Sequence, residues 1–573
     1  MKNKILYILL GVFIGAGALY GFIQKPSQPP LKPKTLSYID IIAAPEGEYG
    51  KPVLEMAKKH TAIYEEFVQK TSQLKEGEIY TLLNPYGTVQ LAALAGLRTA
   101  VPSTIELRLK VDAHTPDLIY RTKELSTEHI LPVLGLLPDA ANKIELTAYR
   151  ADGTPLNIYQ TTIQTNALPE ELPKPEIIKA KAAGFHNQAY FMAAAEGSGM
   201  GPRKSYWLGF DEQARIRWSF NPKYGAASLM KPWKEGKWLA LMPNELAGQH
   251  GWGTKYIISF DLVGRIYNAW YAPERLHHDF AVLKNDRVII AADGAETLGT
   301  EEIEDVSLEG VLSEVSNNIT QVRLFDLSAV LKQRPVILDN LGSSIEKIDW
   351  FHMNGVAHNA VYDYAVYSGR SQSATVAVNA DHTLRWILAA HSGWPKEMQP
   401  YLLTPKGKGF EWPWGQHSPV FRDAKHLFLF DNGNFRSIEF KTALKAHENY
   451  SRLVEYKVDD KAKTIEQVWS YGKERGHELY APYVGGVDYL PESKTVVGVF
   501  GGILKTRLGN PSDVVEGMYY KNSAHIVEVT HTMPPQLVAE YAFKDDKHTS
   551  SNGFMVYRGA VCHMYCAYEL SAD

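Results

Sequence analysis

Short hydrophobic runs separated by turn residues make up most of the chain after about residue 176. Each run is rich in β-branched and aromatic residues and is bounded by Gly, Asn, Asp or Pro, which predicts a β-strand. The runs group into a repeated unit of two hairpins. The first hairpin ends in small or polar residues, as in HMNGVAHNAVYDYAVYSGR (352–370), and the second usually ends in an aromatic residue, as in YIISFDLVGRIYNAW (256–270).

Six such pairs of hairpins follow one another, and each pair predicts a four-stranded sheet. In the third pair, the second hairpin is assigned to QVRLFDLSAVLKQRPVIL (321–338). Repeated four-stranded units of this length predict the blades of a β-propeller. The C-terminal stretch NGFMVYRGAVCHMYCAYEL (552–570) is expected to supply strands that close the ring. Unequal spacing between the units leaves an irregular β-rich enzyme as the alternative.

The chain before these repeats has a different pattern. A helix is predicted from Pro52 to about Leu74, followed by alternating stretches such as TIELRLKV (104–111) and KIELTAYR (143–150). The proline-rich segment LPEELPKP (168–175) then separates the two parts. The predicted fold is therefore all-β, with a small N-terminal β-sandwich domain (37–170), a six-bladed β-propeller catalytic domain (171–573) and a hydrophobic helix at the N-terminus.

That hydrophobic helix is an apolar run from Ile5 to Ile23, preceded by Lys2 and Lys4. Its 19 residues are just long enough to cross a bilayer, but a cleaved signal peptide remains the alternative. Residues 1–24 are thus a signal anchor or signal peptide, and residues 25–36 form a proline-rich linker. In both cases the two domains that follow the linker are expected to be exported to the periplasm, with or without an inner-membrane anchor at residues 5–23.

Composition and charge exclude some classes of protein. Hydrophobic residues make up 45% and charged residues 22% of the chain, and the net charge is −4, so no nucleic-acid partner is expected. Cys562 and Cys566 are the two cysteines of the sequence. Their spacing allows either one local disulfide or two free thiols.

Histidines recur at matching positions of the repeat. In three successive units, a histidine lies at the start of the first strand. These histidines are His278 (with His277 beside it), His352 and His417. The first strand of a blade lines the central channel of a propeller. The alignment of the units therefore predicts three imidazoles around one pocket.

Other polar and aromatic residues are predicted to join that pocket. Asn354 lies two residues after His352, so both side chains are expected on one face of a strand. Arg370 closes the same hairpin and offers a planar cation suited to a tetrahedral oxyanion. Trp412 and Trp414 precede His417 and could stack on a flat ring.

These residues alone leave three classes of protein open. They fit a transferase, a ligand-binding propeller without turnover, or a hydrolase or lyase with a metal on the three histidines. The sequence has no H-E-x-x-H motif and no G-x-x-x-x-G-K-[ST] motif. No metal, nucleotide or other cofactor is predicted.

The histidine motifs resemble those of the bacterial arylsulfate sulfotransferases, periplasmic enzymes that do not use the nucleotide sulfate donor. The resemblance rests on HHDF (277–280), DWFHMNGVAHN (349–359), WPWGQHSPVF (412–421) and LFDNGN (429–434), and on NPYGTVQLAALAGL (84–97) near the N-terminus. It covers most of residues 80–545. It implies a six-bladed propeller, a periplasmic location, and often a homodimer.

The resemblance also implies a reaction. A sulfuryl group would pass from an aryl sulfate donor to a phenolic acceptor by a ping-pong mechanism, carried by a sulfohistidine. By motif, His417 is the nucleophile, and His352, Asn354 and Arg370 hold the sulfuryl oxygens. Relatives carry a disulfide shortly before the nucleophile, but residues 400–414 contain no cysteine, so this loop must be held in another way.

The proton of the phenol is assigned to a histidine of the HHDF motif. His278 is preferred over His277 because it directly precedes Asp279. His277 and Trp414 are expected to contact the substrate.

Overall fold

The computed structural model describes residues 51–112, 115–185, 189–196, 205–220, 229–242, 253–293, 305–313, 317–334, 350–506, 508–513, 521–544 and 553–571. The predicted signal segment (1–24) and linker (25–36) lie outside these residues. Within the described part of the chain, no helix has both the length and the apolar character needed to span a bilayer. Strands dominate the described residues, which confirms the all-β prediction.

One α-helix, α1 (Lys51–Ser72), begins the described chain and matches the helix predicted there. Its buried residues include Val53, Ala57 and Phe67, which recur at helical spacing and so form one face. His60 lies on the same face and accepts a hydrogen bond from the backbone N–H of Ile266 at 3.0 Å. The helix is therefore tied to the strands of the following domain.

A six-stranded antiparallel sheet follows the helix. Its longest strand pairs with different partners along its length, because its register breaks between Arg98 and Ser103. The first half of that strand, β2, pairs with β1 and β4, and the second half pairs with β3 and β5, which in turn pairs with β6. The strands are β1 (Ile79–Leu83), β2 (Ala93–Lys110), β3 (Leu118–Arg121), β4 (Ser126–Val133), β5 (Ala141–Tyr149) and β6 (Pro155–Gln164).

The rest of the chain forms five hydrogen-bonded sheets among the described residues. The strands are β7 (Glu176–Lys179), β8 (Ala189–Glu196), β9 (Ser205–Phe210), β10 (Ile216–Phe220), β11 (Leu229–Pro232), β12 (Lys237–Met242), β13 (Gly253–Asp261), β14 (Ile266–Val282), β15 (Arg287–Asp293), β16 (Asp305–Leu312), β17 (Ile319–Asp326), β18 (Met353–Asn359), β19 (Tyr364–Gly369), β20 (Ala374–Asn379), β21 (Leu384–Leu388), β22 (Thr404–Lys406), β23 (His417–Phe421), β24 (His426–Asp431), β25 (Arg452–Asp459), β26 (Thr464–Tyr471), β27 (Gly486–Leu490), β28 (Thr495–Lys505), β29 (Lys521–Thr530), β30 (Leu537–Phe543) and β31 (Phe554–Cys562). Short 3-10 helices lie at Leu327–Ala329, Lys396–Tyr401, Phe440–Thr442, Ala446–Glu448, Lys473–Leu479 and Cys566–Tyr568.

Within each sheet, strands that follow one another in the chain are neighbours, except that β31, β22 and β7 pair with strands that are not next to them in the chain. One sheet runs β10-β9-β8-β31, a seven-stranded sheet runs from β11 to β17, and a third runs from β18 to β21. The other two run β22-β26-β25-β24-β23 and β27-β28-β29-β30-β7. Apart from the parallel pair β22–β26, neighbouring strands of these sheets are antiparallel. The last three predicted pairs of hairpins are confirmed as β18–β21, β23–β26 and β27–β30.

The prediction for the second hairpin of the third unit is wrong. Its strands are β16 and β17, so residues 321–326 form the second strand of this hairpin instead of the first strand that the pattern indicates. The chain leaves β17 because Asp326 caps a 3-10 helix by accepting the backbone N–H of Ser328. Residues 336–338, expected to form the returning strand, lie outside the described residues.

The two ends of this region are joined to sheets from the opposite end of the chain. Strand β7 pairs with β30, and β31 pairs with β8. The C-terminal segment therefore supplies one strand to the first sheet, followed by a 3-10 helix. A disulfide links Cys562 to Cys566 at the end of β31, so the alternative of two free thiols is wrong.

Candidate active site

The strands that carry the predicted histidines are all bulged at the same point. The antiparallel register shifts between Leu276 and Phe280 in β14, between Met353 and Gly355 in β18, and between His417 and Val420 in β23. A bulge leaves residues outside the ladder and re-aims their side chains. The sequence forms these kinks with non-glycine residues in the left-handed region, at His278 (φ 54°), His352 (φ 55°) and Ser418 (φ 53°).

This geometry corrects the expected alignment of His352 and Asn354. His352 lies just before β18 rather than in it, and its positive φ breaks the two-residue alternation. Asn354 is fully buried, whereas His352 is half-buried. Asn354 Nδ2 donates to the carbonyl oxygen of Gln416 at 2.9 Å, and Oδ1 has no hydrogen-bond partner among the described residues.

The three predicted imidazoles do lie together. The ring centroids of His278 and His352 are 4.9 Å apart in an edge-to-face arrangement. Burial lowers the pKa of His278 well below its usual value, and His277, His352, His417 and the guanidinium of Arg558 lower it further. The repeat pattern therefore identified residues that share one electrostatic environment.

His417 is held in one tautomer. Its Nδ1 lies 2.6 Å from Asn432 Oδ1 and 3.1 Å from the carbonyl oxygen of Gly415. The Asn432 amide is oriented by its own Nδ2, which donates to the carbonyl oxygens of Ala481 (2.8 Å) and Val484 (2.7 Å). Both neighbours of Nδ1 are therefore acceptors, so Nδ1 carries the proton and Nε2 keeps its lone pair.

The electrostatic surroundings keep this imidazole neutral. His417 is 2% exposed, and burial lowers its pKa well below the usual value. The nearby guanidinium groups of Arg558 and Arg370 lower the pKa further, against the hydrogen bond to Asn432 that raises it. A neutral imidazole with a free Nε2 is the form of histidine that acts as a nucleophile.

His277 lies behind His278. The Nδ1 atoms of the two rings are 2.8 Å apart, and His277 Nε2 lies 3.1 Å from Asp293 Oδ1. His277 is buried, whereas His278 is half-buried. The geometry makes His277 a support for the ring of His278, and its contact with a substrate stays a prediction.

Arg370 lies at the end of the β18–β19 hairpin, as expected. Its side chain is buried and donates from Nη2 to the carbonyl oxygen of Pro482 at 3.3 Å. Its backbone N–H donates to the carbonyl oxygen of His352 at 3.2 Å, which fixes the two residues relative to each other. The cation therefore lies against the same group of histidines.

The tryptophans before His417 belong to a loop held by buried polar contacts. The ring of Trp412 packs on Phe410 at 4.8 Å between centroids, and the backbone N–H of Trp414 donates to Asp431 Oδ1 at 2.8 Å. No ring contact between Trp414 and the three histidines occurs among the described residues, so its role in substrate binding stays a prediction. Arg452 bridges Asp431 (2.7 Å) and Glu411 (2.9 Å) and so ties this loop to β24.

Two residues of the site were missed by the sequence analysis. Asn432 belongs to the FDNGN segment, which looked like a turn at the end of a strand. Arg558 lies in β31, far along the chain from the histidine repeats. In the structure the Arg558 side chain forms an ion pair with Asp279 at 2.6 Å and lies beside Tyr557, whose ring centroid is 5.9 Å from that of His278. Among the described residues, no group of three or more His, Cys, Asp or Glu is arranged to hold a metal ion.

The site and the sheets define a β-rich protein with a histidine- and arginine-lined centre. The chain belongs to the arylsulfotransferase family: the family model for arylsulfotransferase (ASST) matches residues 174–545. The model for the arylsulfotransferase Ig-like domain matches residues 80–166, which include β1 to β6.

Individual relatives match over shorter stretches. The chain is 35% identical over 190 residues to arylsulfate sulfotransferase AssT of Lelliottia amnigena, which covers 30% of this chain and 31% of that protein. It is 34% identical over 180 residues to AssT of Escherichia coli O6:H1 strain CFT073, covering 29% and 30%. The matched stretch thus spans about a third of the length of these curated relatives. Hydrazine synthase of Kuenenia stuttgartiensis is 9% identical with a TM-score of 0.27 over 53% of this chain and 62% of that chain, too low to add to the assignment.

Proposed function

We propose that this protein transfers a sulfuryl group from an aryl sulfate to a phenolic acceptor through a sulfohistidine at His417. The observation that carries the proposal is the hydrogen bonding of His417, which leaves Nε2 unprotonated in a neutral ring beside two guanidinium groups. Membership of the arylsulfotransferase family supports sulfuryl transfer between aryl compounds.

The first half of the reaction forms the covalent intermediate. The lone pair of His417 Nε2 attacks sulfur in line, the bond from sulfur to the aryl oxygen breaks, and its electron pair leaves on a phenolate. Nδ1 keeps its proton and continues to donate it to Asn432 Oδ1. This hydrogen bond stabilises the positive charge that develops on the ring. Arg370, His352 and Asn354 stabilise the charge shared among the three sulfuryl oxygens, as donors do in phosphoryl transfer.

The second half returns the enzyme to its first state. The phenolic acceptor gives its proton to His278, its oxygen attacks sulfur, and the nitrogen–sulfur bond breaks so that Nε2 regains its lone pair. The lowered pKa of His278 keeps its ring unprotonated, so that it is available to accept this proton. His278 then releases this proton to solvent because its pKa lies below the usual value, and the released proton balances the phenolate of the first half. Because a neutral imidazole is a poor acid, the first phenolate leaves without a proton from this ring.

We also propose that the sheets after residue 176 close as a six-bladed β-propeller. Strand β14 pairs with β13 through its first part and with β15 through its last part, so the seven-stranded sheet divides into two blades of four. Strand β31 completes the sheet of β8 to β10, which makes six four-stranded units. The pairing of both chain ends with distant sheets supports ring closure.

Export to the periplasm is proposed from the N-terminal sequence and one structural feature. The disulfide between Cys562 and Cys566 is typical of proteins in oxidising compartments. Anchoring by residues 5–23 and homodimer formation stay predictions.

The proposed function is tested by mixing the full-length protein with 4-nitrophenyl sulfate and measuring its intact mass. We expect a sulfuryl adduct on His417 and a burst of 4-nitrophenolate, followed by sulfated product when a phenol is added. His417→Ala should show neither adduct nor burst, and full transfer by this variant would contradict the mechanism.

Three outcomes would favour other functions. Binding of the ester without turnover would indicate a binding protein. Inorganic sulfate as the product in the presence of phenol would indicate a sulfatase. Activity that is lost with a chelator and restored by a metal would indicate a metal-dependent hydrolase.

A further inference from the structure

Arg558 lies close to three residues, each of which follows one of the three histidines by one or two positions in the chain. Its Nη1 lies 2.6 Å from Asp279 Oδ2, and Asp279 follows His278 in the chain. Its Nη2 donates to the carbonyl oxygen of Asn354, two residues after His352. Arg558 also lines a small cavity together with Ser418, which follows His417. Arg558 reaches this part of the site from β31 because it lies, with Tyr557, in a bulge between Val556 and Gly559.

The arginine is fixed by a buried ionic network. Arg558 is 5% exposed, and its Nε has no hydrogen-bond partner among the described residues. Asp279 also receives Lys231 Nζ at 2.8 Å and the backbone N–H of Val356 at 3.0 Å. Burial raises the pKa of Asp279, but Lys231 and Arg558 outweigh it, so the pKa lies below its usual value. One negative charge on Asp279 thus faces two positive charges, on Lys231 and Arg558, so a net positive charge remains.

We propose that Arg558 is a positioning residue of the transfer site, whose guanidinium holds the backbone of Asn354 in place and keeps a fixed positive charge near His417. This inference rests on the proposed function, because it assigns a task in forming the sulfohistidine. Arg558 acts through Asn354 and His417 and does not itself have to touch the substrate.

The physical reason is the repulsion between a fixed cation and an imidazolium. A like charge close to a titratable base disfavours its charged form, and attack on sulfur requires the neutral ring. After burial, Arg558 is the strongest influence that lowers the pKa of His417, ahead of Arg370. Among the described residues, the other titratable or charged groups that face His417 or Arg558 are Arg370, His352, His278, Asp279, Lys231, Asp488 and Tyr557.

Asp488 needs its own control. It lines the same cavity as Arg558, and burial raises its pKa to about 6, so its charge changes over the pH range of the experiment. Any effect of Arg558 must therefore also be seen when residue 488 cannot titrate. Asp488→Asn supplies that background.

The test is the pH dependence of the first half-reaction. The rate of the 4-nitrophenolate burst is measured between pH 4.5 and 9 for the full-length wild type, Arg558→Gln and Arg558→Lys, each with and without Asp488→Asn. Gln keeps a donor for the Asn354 carbonyl but lacks the charge, whereas Lys keeps the charge. We expect the acidic limb of the Arg558→Gln profile to move upward by roughly one pH unit or more, and Arg558→Lys to restore most of the shift.

A purely structural role would lower the rate without moving the limb. An unchanged midpoint in Arg558→Gln, or a shift that disappears in the Asp488→Asn background, overturns the proposal. If Arg558→Gln does not fold, Asp279→Asn should move the limb downward, because Arg558 then lacks its counterion, and an unmoved limb overturns the proposal equally. Absence of the adduct in the wild type would instead overturn the proposed function.

Discussion

At the scale of single residues, the site is built around the two nitrogens of one ring. Asn432 and the carbonyl oxygen of Gly415 accept at Nδ1, which directs the reactive lone pair of His417 to Nε2. Burial and two guanidinium groups then keep the ring neutral. In the proposed mechanism, the group that reacts and the group that orients it are therefore separate residues, 15 positions apart in the chain.

This division predicts the effect of Asn432→Ala. The substitution removes the acceptor of the Nδ1 proton in a buried site, which costs about 1–3 kcal/mol and lets the other tautomer form. We expect the burst of 4-nitrophenolate to slow by roughly 10- to 100-fold, measured by stopped flow. Asn449→Ala is the matched control, because Asn449 is also a buried amide but donates to the carbonyl oxygen of Gly433 and accepts no hydrogen bond from His417. Equal burst rates in Asn432→Ala and the wild type would contradict the orienting role.

The sequence predicted the members of the site that recur with the repeat, and missed those that do not. His278, His352 and His417 could be found because equivalent strands of a repeated unit lead to one place. Arg558 could not be found in this way, because its strand lies near the C-terminus and pairs with β8, near the start of the repeats. The alternation rule failed at His352 because its backbone is left-handed, and such a conformation leaves no clear pattern in hydrophobicity.

At the scale of elements, the bulges align the site across several sheets. Besides those in β14, β18 and β23, the register shifts between Phe500 and Ile503 in β28 and between Val556 and Gly559 in β31. The hairpins β18–β19 and β20–β21 were predicted despite the bulge in β18, because turn residues separate their short hydrophobic runs. The hairpin β16–β17 was misplaced because hydrophobic residues after Asp326 continue the strand-like pattern, although the chain turns into a 3-10 helix there.

The bulge in β28 makes Gly501 a sensitive position. A β-carbon at Gly501 would lie 1.8 Å from the carbonyl oxygen of Val556, directly before Tyr557 and Arg558. Gly501→Ala must therefore push β31 away, with an expected loss of about 1–3 kcal/mol in the free energy of unfolding and a slower burst. Urea unfolding and stopped-flow bursts measure the two effects.

A control for that variant is Gly153→Ala, in the turn between β5 and β6. Gly153 has a φ of 82°, and no atom lies within 4 Å of the position that a β-carbon would take, so its replacement strains only the local backbone. It should cost about 1–2 kcal/mol and leave the burst unchanged. A normal burst in Gly501→Ala would show that the approach of β28 to β31 does not shape the site.

At the scale of the whole molecule, one contact between the N-terminal helix and the later sheets depends on an uncharged histidine. His60 of α1 is 2% exposed and accepts the backbone N–H of Ile266, the first residue of β14. Burial, followed by the charges of Arg265 and Lys59, lowers the pKa of His60 to about 4. Burial also lowers the pKa of His129, in β4, to about 4. The same strand that carries His278 is thus attached to the N-terminal helix through a neutral histidine.

This attachment predicts that acid weakens the molecule before its carboxylates are protonated. The unfolded chain binds a proton at each of these histidines near pH 6.5, whereas the folded chain resists protonation until about pH 4, so stability falls as the pH decreases through this window. His60→Asn keeps an acceptor for Ile266 but cannot titrate. Calorimetry at pH 7.5 and 4.5 should show a smaller acid-induced fall in Tm for this variant, by about 2–4 °C, while exposed His477→Asn behaves as the wild type. An equal fall in His60→Asn and the wild type would show that the junction does not contribute to the acid sensitivity, because His129 is unchanged in both.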